Sequence, residues 1–363
     1  MSGWPDRRLT GLFGTRHPIV QAPMAGATST DMIVGAMAGG ALGSLPCGML
    51  TPDGVAAAVA AIRERSDAPL NLNFFCHRLP PAPDTAAWQA ALASYYAEYG
   101  IADAAPPPPL RAPFDAAMGE AAVAAKPAVA SFHYGLPDEA LLAPLRAAGI
   151  AIVSSATTVA EARHLAARGC DAIIAMGYEA GGHRGWFLGE EPDSQIGTMA
   201  LVPQVVDAVA CPVIAAGGIA DARGVAAALM LGAAGVQIGT AYLFTEEAPI
   251  SAAHRRALNG PEAEATLLTN LFSGGVARGM RNRLVAELGP MVDAAPPFPH
   301  ASAALAPLRK ANEAQGGGDF SPLWAGQAAP LSRAGTARAL TERLASEALA
   351  RLDGSGSHPP QSR

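Results

Sequence analysis

The chain has 363 residues, of which 50% are hydrophobic, 15% charged and 6% aromatic; a large core is available and global disorder is excluded. By length it is two domains, or one large α/β barrel with an appendage. The net charge of −6 comes without a basic block, which argues against a nucleic-acid surface and against a polybasic membrane anchor.

The opening MSGWPDRRLTGLFG lacks the long apolar stretch of a signal peptide. Short apolar runs without strict alternation follow, as expected of strands buried on both faces of a parallel sheet. Eight are visible: PIVQAP (18–23), ALGSL (41–45), LNLNF (70–74), AVASFH (128–133), IAIVSSA (150–156), DAIIAMG (171–177), PVIAAGG (212–218) and GVQIGT (235–240). Helical segments separate most of them. Thr158 with Glu161 offers a capping box for the helix after the fifth run, which Gly169 ends. Asp221 caps the helix after the seventh, which Gly232 ends.

Residues 225–244 carry no charge and are about long enough to span a membrane. Gly232, Gly235 and Gly239 divide them into an Ala-rich helix, a tight turn and a short strand; Pro46 and its neighbouring glycines break residues 33–50 in the same way. No membrane partner is expected. Four scattered cysteines (Cys47, Cys76, Cys170, Cys211) form neither a disulfide scaffold nor a Cys-x-x-Cys metal site. They suit a reduced, cytoplasmic compartment, and no metal is expected.

Two gaps are too long for a single crossover. HRLPPAPD, a helix around residues 88–99 and the proline run AAPPPPLRAPFD separate the third and fourth strands. Residues 249–300 hold a charged helix, the loop NLFSGGVARGMRN and the proline cluster AAPPFP. Both insertions leave the same rim and are expected to meet there. The expected fold is therefore α/β: a (β/α)8 TIM barrel from residues 1–77 and 123–248, with 301–352 packing back on it. A smaller, mainly helical cap domain of residues 78–122 and 249–300 covers it, and residues 353–363 form a disordered tail. The doubly wound alternative lacks its G-x-G-x-x-G loop.

Barrel active sites lie at the carboxyl ends of the strands. Gly217 and Gly218 end the seventh strand, and Gly239 with Thr240 ends the eighth. Bare backbone N–H groups converging there are a common phosphate grip, although glycines also simply make turns. After the sixth strand, GYEAGGHRG lets Gly181 and Gly182 pass flat against a planar ligand and presents His183 at the barrel mouth. An imidazole there can take a proton from carbon or steady an anion. Glu179 and Arg184 read as a loop ion pair or a helix-end contact. His133, ending the fourth strand, is the rival catalytic histidine. His17, His77, His164, His254, His300 and His358 read as structural. Ala22, Pro23 and Met24 end the first strand with small or soft groups that allow close approach to a ring, and Asn73 ends the third with a ligand-bonding edge or a turn cap.

Together PIVQAPMAG, SATTVAEARHLAARGCDAII, GYEAGGHRG, PVIAAGGIAD and GVQIGTAYLFTEEA resemble the nitronate monooxygenase (2-nitropropane dioxygenase) family, and SPLWAGQAA (321–329) its class I branch. The resemblance implies non-covalent FMN and oxidation of alkyl nitronates with O2 to an aldehyde or ketone and nitrite. It places Ala22, Pro23 and Met24 along the flavin ring and Asn73 in contact with it. It also sets Gly181 beside the ring, Gly218, Gln237, Gly239 and Thr240 at the phosphate, and makes His183 the catalytic histidine. Three positions depart from the family pattern. Met176 stands where a flavin-contacting glutamine is usual, LNLN replaces FGVN, and FSGGVAR (272–278) replaces FSGRPAR. Two alternatives remain: an FMN-dependent NAD(P)H reductase of the enoyl-thioester or quinone type, and a phosphate-ligand barrel without turnover. The sequence leaves room for a homodimer.

Overall fold

The computed structural model describes residues 3–101, 111–189 and 191–354. Residues 104–110 of the proline run, Glu190, His358 and most of the tail lie outside the described residues. In chain order the strands are β1 (Ile19–Gln21), β2 (Gly43–Pro46), β3 (Leu70–Phe75), β4 (Val129–His133), β5 (Ala151–Ala156), β6 (Ala172–Met176), β7 (Gly182–His183), β8 (Val213–Ala216), β9 (Gly235–Ile238), β10 (Thr266–Thr269) and β11 (Ala277–Met280). Eight of them, all but β7, β10 and β11, correspond to the eight apolar runs of the sequence.

Those eight form one parallel sheet in the order β1-β9-β8-β6-β5-β4-β3-β2. A parallel bridge between Val20 and Leu42 brings the two edges together. There Gln21 N donates to Leu42 O at 3.0 Å and Leu42 N to Ile19 O at 2.9 Å. The result is a (β/α)8 barrel, with no open edge to invite pairing.

Strand residues point alternately inward and outward. The inward set at the amino-terminal end is apolar: Val20, Leu42, Val129, Ala151, Val153, Ala172, Ile174 and Ile214 pack with Leu9 and Phe13. These last two belong to the helix Arg8–Phe13, so that helix plugs the barrel floor. Other inward positions are polar and buried: Asn71 Nδ2 donates to Ser44 Oγ at 3.0 Å, and Asn73 Nδ2 to Ser131 Oγ at 3.0 Å. The composition of the strands thus closes one end of the barrel and leaves chemistry at the other.

Helix ends follow the sequence signals closely. Thr158 Oγ1 accepts from Glu161 N at 3.2 Å, and Asp221 caps Arg223 N at 2.9 Å. Glu161 does not return to Thr158, as a reciprocal box requires. Its carboxylate, 1% exposed, accepts instead from Thr157 N and Oγ1 and from Phe187 N. It ties the loop after β7 to the helix Val159–Ala167.

A second cluster stands apart from the barrel core. Trp88, Leu92 and Tyr95 of helix Ala86–Glu98 pack with Leu271, Phe272, Leu284, Leu305 and Phe320. Trp88 Nε1 donates to Ala301 O at 3.1 Å and Tyr96 Oη to Ala304 O at 2.6 Å. Helix Ala301–Ala314 therefore joins the insertions rather than returning to the barrel, where the sequence placed all of 301–352. Its aromatic and aliphatic partners on helix Ala86–Glu98 are too distant in sequence for any local pattern to announce them. Helix Ala337–Leu352 does return, packing on Thr30–Ala38 and Ala222–Met230. Tyr242 Oη and Thr341 Oγ1 meet at 2.7 Å beneath it. Among the described residues no helix is long and apolar enough to cross a membrane.

Candidate active site

At the carboxyl ends of the strands lies a cavity of about 440 Å³, within the ~300–1,000 Å³ range of cofactor and substrate clefts. Every site residue expected from sequence lines it: Ala22, Pro23, Met24, Asn73, Met176, Gly181, His183, Gly217, Gly218, Gln237, Gly239 and Thr240. Inward parity explains the strand members. Phe75, His133, Met176, Ala216 and Gln237 are the last inward positions of β3, β4, β6, β8 and β9, and Asn73 is the inward position before Phe75. Asn73 Nδ2 is held by Ser131 Oγ at 3.0 Å.

The loop from 177 to 185 is built on contacts only glycine permits. A Cβ on Gly177 would overlap Thr198 Oγ1, and one on Gly181 would stand 2.6 Å from Gly326 N. The Arg184 guanidinium, fully buried, donates to Gly177 O at 2.8 Å and Met176 O at 2.9 Å, fixing the end of β6. The Glu179 carboxylate accepts from Thr198 N at 2.8 Å and caps helix Thr198–Ala208. Of the two sequence readings, the helix-end contact holds for Glu179, and Arg184 is a backbone brace.

The small sheet β10-β11-β7 was not expected from sequence. β11 lies inside the segment NLFSGGVARGMRN, read as a loop. Its Ala277 pairs with His183 and its Arg278 with Gly182. β7 has only two residues, too short for any alternation to show. The pairing welds the histidine loop to the second insertion, and Ser273 Oγ reaches His183 Nε2 at 2.7 Å.

His183 stands among rings, with Phe298 at 5.2 Å and Trp324 at 5.5 Å between centroids. Burial, then the charges of Arg111, His133 and His77, hold its imidazole well below the ordinary 6.5. It is neutral at pH 7. His133, the rival, meets Ser155 Oγ at 2.8 Å through Nδ1 and the His183 carbonyl at 3.2 Å through Nε2. Its Nε2–H must donate to that carbonyl, so Nδ1 accepts from the serine. His133 thereby positions the loop that carries His183. His254, read from sequence as structural, also lines the cavity while bonding Trp324 O at 3.1 Å. His77 bonds Arg111 O at 3.0 Å.

Burial pushes His133 and His254 each down to about 4. Between pH ~6.5 and ~4 the unfolded chain then binds protons that the folded chain refuses. Stability is complete above the unfolded value and falls as pH drops toward 4, by roughly 3 kcal/mol per histidine. Denaturant midpoints at about pH 7.5 and pH 4.5 check this. A lower midpoint in acid is expected; equal midpoints would mean that both rings charge freely in the fold.

Sequence reading missed Arg111, Phe298, Trp324 and Ser273. All come from the insertions or from the segment after them, where no periodicity marks an inward position.

The residues fit a flavin nucleotide on two observations. Gln237 Oε1 is buried and without a partner among the described residues. Gly217 and Gly218, at φ +104° and +72°, turn bare backbone along one wall in a conformation that side chains rarely adopt.

Fold and site together define a (β/α)8-barrel enzyme whose catalytic mouth carries a glycine-lined cradle and a neutral histidine. The model of the nitronate monooxygenase family matches residues 6–347. The chain is 40% identical to a nitronate monooxygenase of Paraburkholderia phytofirmans over 351 residues, covering 94% of each. It is likewise 40% identical to one of Pseudomonas aeruginosa, covering 94% of this chain and 98% of that one. Nitroalkane oxidase from Streptomyces ansochromogenes superposes with a TM-score of 0.88 at 36% identity, over 96% of this chain and 99% of that one. FabK from Thermotoga maritima shares the fold, with a TM-score of 0.72 at 24% identity over 96% and 98% of the two chains. The chain belongs to the nitronate monooxygenase family of flavin-dependent enzymes.

Proposed function

We propose that this chain is an FMN-dependent nitronate monooxygenase, acting in the cytoplasm on alkyl nitronates with O2 and releasing a carbonyl compound and nitrite. The observation that carries the reading is a buried, ring-enclosed His183, held toward its neutral form, lining the same cavity as Gly217, Gly218 and Gly239. The backbone N–H groups of Gly217, Gly218 and Gly239, with Gln237 and the Thr240 hydroxyl, hold the single phosphate. Ala22, Pro23, Met24, Asn73, Met176 and Gly181 border the ring system. Bound FMN supplies the electron acceptor that dioxygen re-oxidises.

The protein's own part is to hold and desolvate the substrate. Phe298 and Trp324 exclude water beside His183, which strengthens every polar contact made there. The Ser273 hydroxyl on Nε2 fixes the ring. With Nε2 on Ser273, Nδ1 faces the substrate: as N–H it can donate to a nitronate oxygen, and in the other tautomer it can take the α-proton of a neutral nitroalkane. The two insertions and helix Ala301–Ala314 serve as the cap that selects what enters. Oxygen uptake matched by nitrite release, with an added alkyl nitronate, tests the reading; the absence of both would overturn it. Extraction and chromatography of the bound flavin should give FMN, since the cradle offers one phosphate grip; FAD as the main species would contradict it.

Met176 supplies a separate prediction. It is 8% exposed, and its thioether cannot donate a hydrogen bond into the cavity as a glutamine amide would. A net hydrogen bond is worth roughly 0.5–1.5 kcal/mol, a factor of about two to ten in affinity. Met176→Gln is expected to tighten FMN by that factor, or to raise its midpoint potential modestly, with Tm unchanged. Weaker FMN binding in the glutamine form would mean that position 176 does not face the ring.

A further inference from the structure

The cavity wall contains four charged side chains: Arg111, Glu179, Arg309 and Glu313. Three of them are occupied. Glu179 caps the helix Thr198–Ala208, and Arg309 Nε pairs with Glu313 at 2.8 Å. Arg111 has no carboxylate within ion-pair distance among the described residues, and its guanidinium is held down from its ordinary basicity by burial. Its main chain is anchored: His77 Nε2 meets Arg111 O at 3.0 Å, and the neighbouring Phe114 N donates to Phe75 O at 2.8 Å. A partly desolvated cation fixed on a cavity wall without a counterion is costly unless an anion enters.

We infer that Arg111 is the residue that binds the anionic, planar O–N–O group of the substrate, and so sets the preference for nitronates over neutral nitroalkanes. The inference rests on the proposed nitronate chemistry and adds to it a specific receptor for the charge. His183 is neutral and supplies one dipole at most, whereas a guanidinium presents two parallel N–H donors matched to two coplanar oxygens. The same cation, second after burial among the causes, also pushes the His183 imidazole down from its ordinary basicity. Charge binding and proton holding are thus divided between two residues, one from the insertion before β4 and one from β7.

Nitrate is a planar oxyanion that cannot be oxidised, so it probes Arg111 without requiring turnover. Titrating it into the FMN-loaded enzyme at constant ionic strength, with flavin absorbance as the signal, should give saturable binding. Arg111→Gln should weaken that binding roughly 10- to 100-fold, and Arg111→Lys, which keeps the charge but not the fork, by less. With alkyl nitronates the Gln form should show a raised KM and a nearly unchanged kcat, so the preference over nitroalkanes shrinks. NMR titration of His183, whose titratable neighbours are Arg111, His133 and His77, should show its pKa rising in Arg111→Gln but not in Arg111→Lys. A merely structural arginine would not separate the two variants in this way. Equal nitrate affinity in the parent and Gln forms, or no saturable nitrate binding in the parent, would overturn the inference. Arg111-dependent nitrate binding in an enzyme that does not oxidise nitronates would uphold the anion site and refute the proposed function instead.

Discussion

His183→Asn is expected to retain FMN at parental affinity while losing about 10²–10⁴-fold in turnover of neutral nitroalkanes, the usual contribution of a general base. The proposed phosphate cradle, at the ends of β8 and β9, shares no hydrogen bond with this side chain among the described residues; the partner of His183 is Ser273 on the second insertion. Nitronates arrive already deprotonated, so their loss should be smaller and confined to the missing N–H contact, about one hydrogen bond to an anion at ~1.5–3 kcal/mol. Steady-state kinetics with a nitroalkane and its nitronate, alongside an FMN titration, separate these effects. Unchanged nitroalkane kinetics would remove His183 from proton transfer. His133 could not then inherit the role in its present geometry, because Ser155 and the His183 carbonyl engage both of its ring nitrogens.

Gly181→Ala should be nearly as damaging through backbone alone. The new Cβ would stand 2.6 Å from Gly326 N and 2.7 Å from Ala325 C, where no flexible side chain can yield. That segment is tied by Gly326 N to Thr240 Oγ1 at 2.9 Å and by Gln327 N to Glu179 O at 3.0 Å. Relief must move Thr240, one of the proposed phosphate ligands. Overpacking of this kind costs about 1–3 kcal/mol; where FMN binding must bear it, the Kd rises roughly five- to 150-fold. Gly11→Ala, where a Cβ would meet nothing within 4 Å, serves as the control and should leave FMN binding unchanged. Parental affinity in Gly181→Ala would mean that the 325–326 segment moves without consequence for the cradle.

The barrel was legible because parallel strands buried on both faces leave continuous apolar runs, and eight such runs matched eight strands. The place of Gly217, Gly218 and Gly239 on the cavity was legible for a related reason: they occupy strand ends, where a barrel exposes its backbone. What stayed hidden depends on contacts between distant segments. The pairing of Ala277 with His183 joins residues 94 positions apart through a two-residue strand, which has no periodicity to detect. Trp88, on an otherwise ordinary helix, is buried by residues near 271, 305 and 320. Arg111 follows a proline run that gives no inward or outward phase, so its charge in the cavity could not be read from spacing. Glu161 carried a recognisable capping signal, yet its second bond went to Thr157 and to the loop at Phe187 because the helix end is packed beneath that loop.

Oxygen consumption by one FMN-loaded preparation, measured with an alkyl nitronate and separately with NADH or NADPH, tests the central claim most directly. The account predicts rapid uptake with the nitronate, accompanied by nitrite, and only slow oxidation of either reduced nucleotide. Fast NAD(P)H oxidation with no nitronate-dependent uptake would contradict it and make this barrel a flavin reductase.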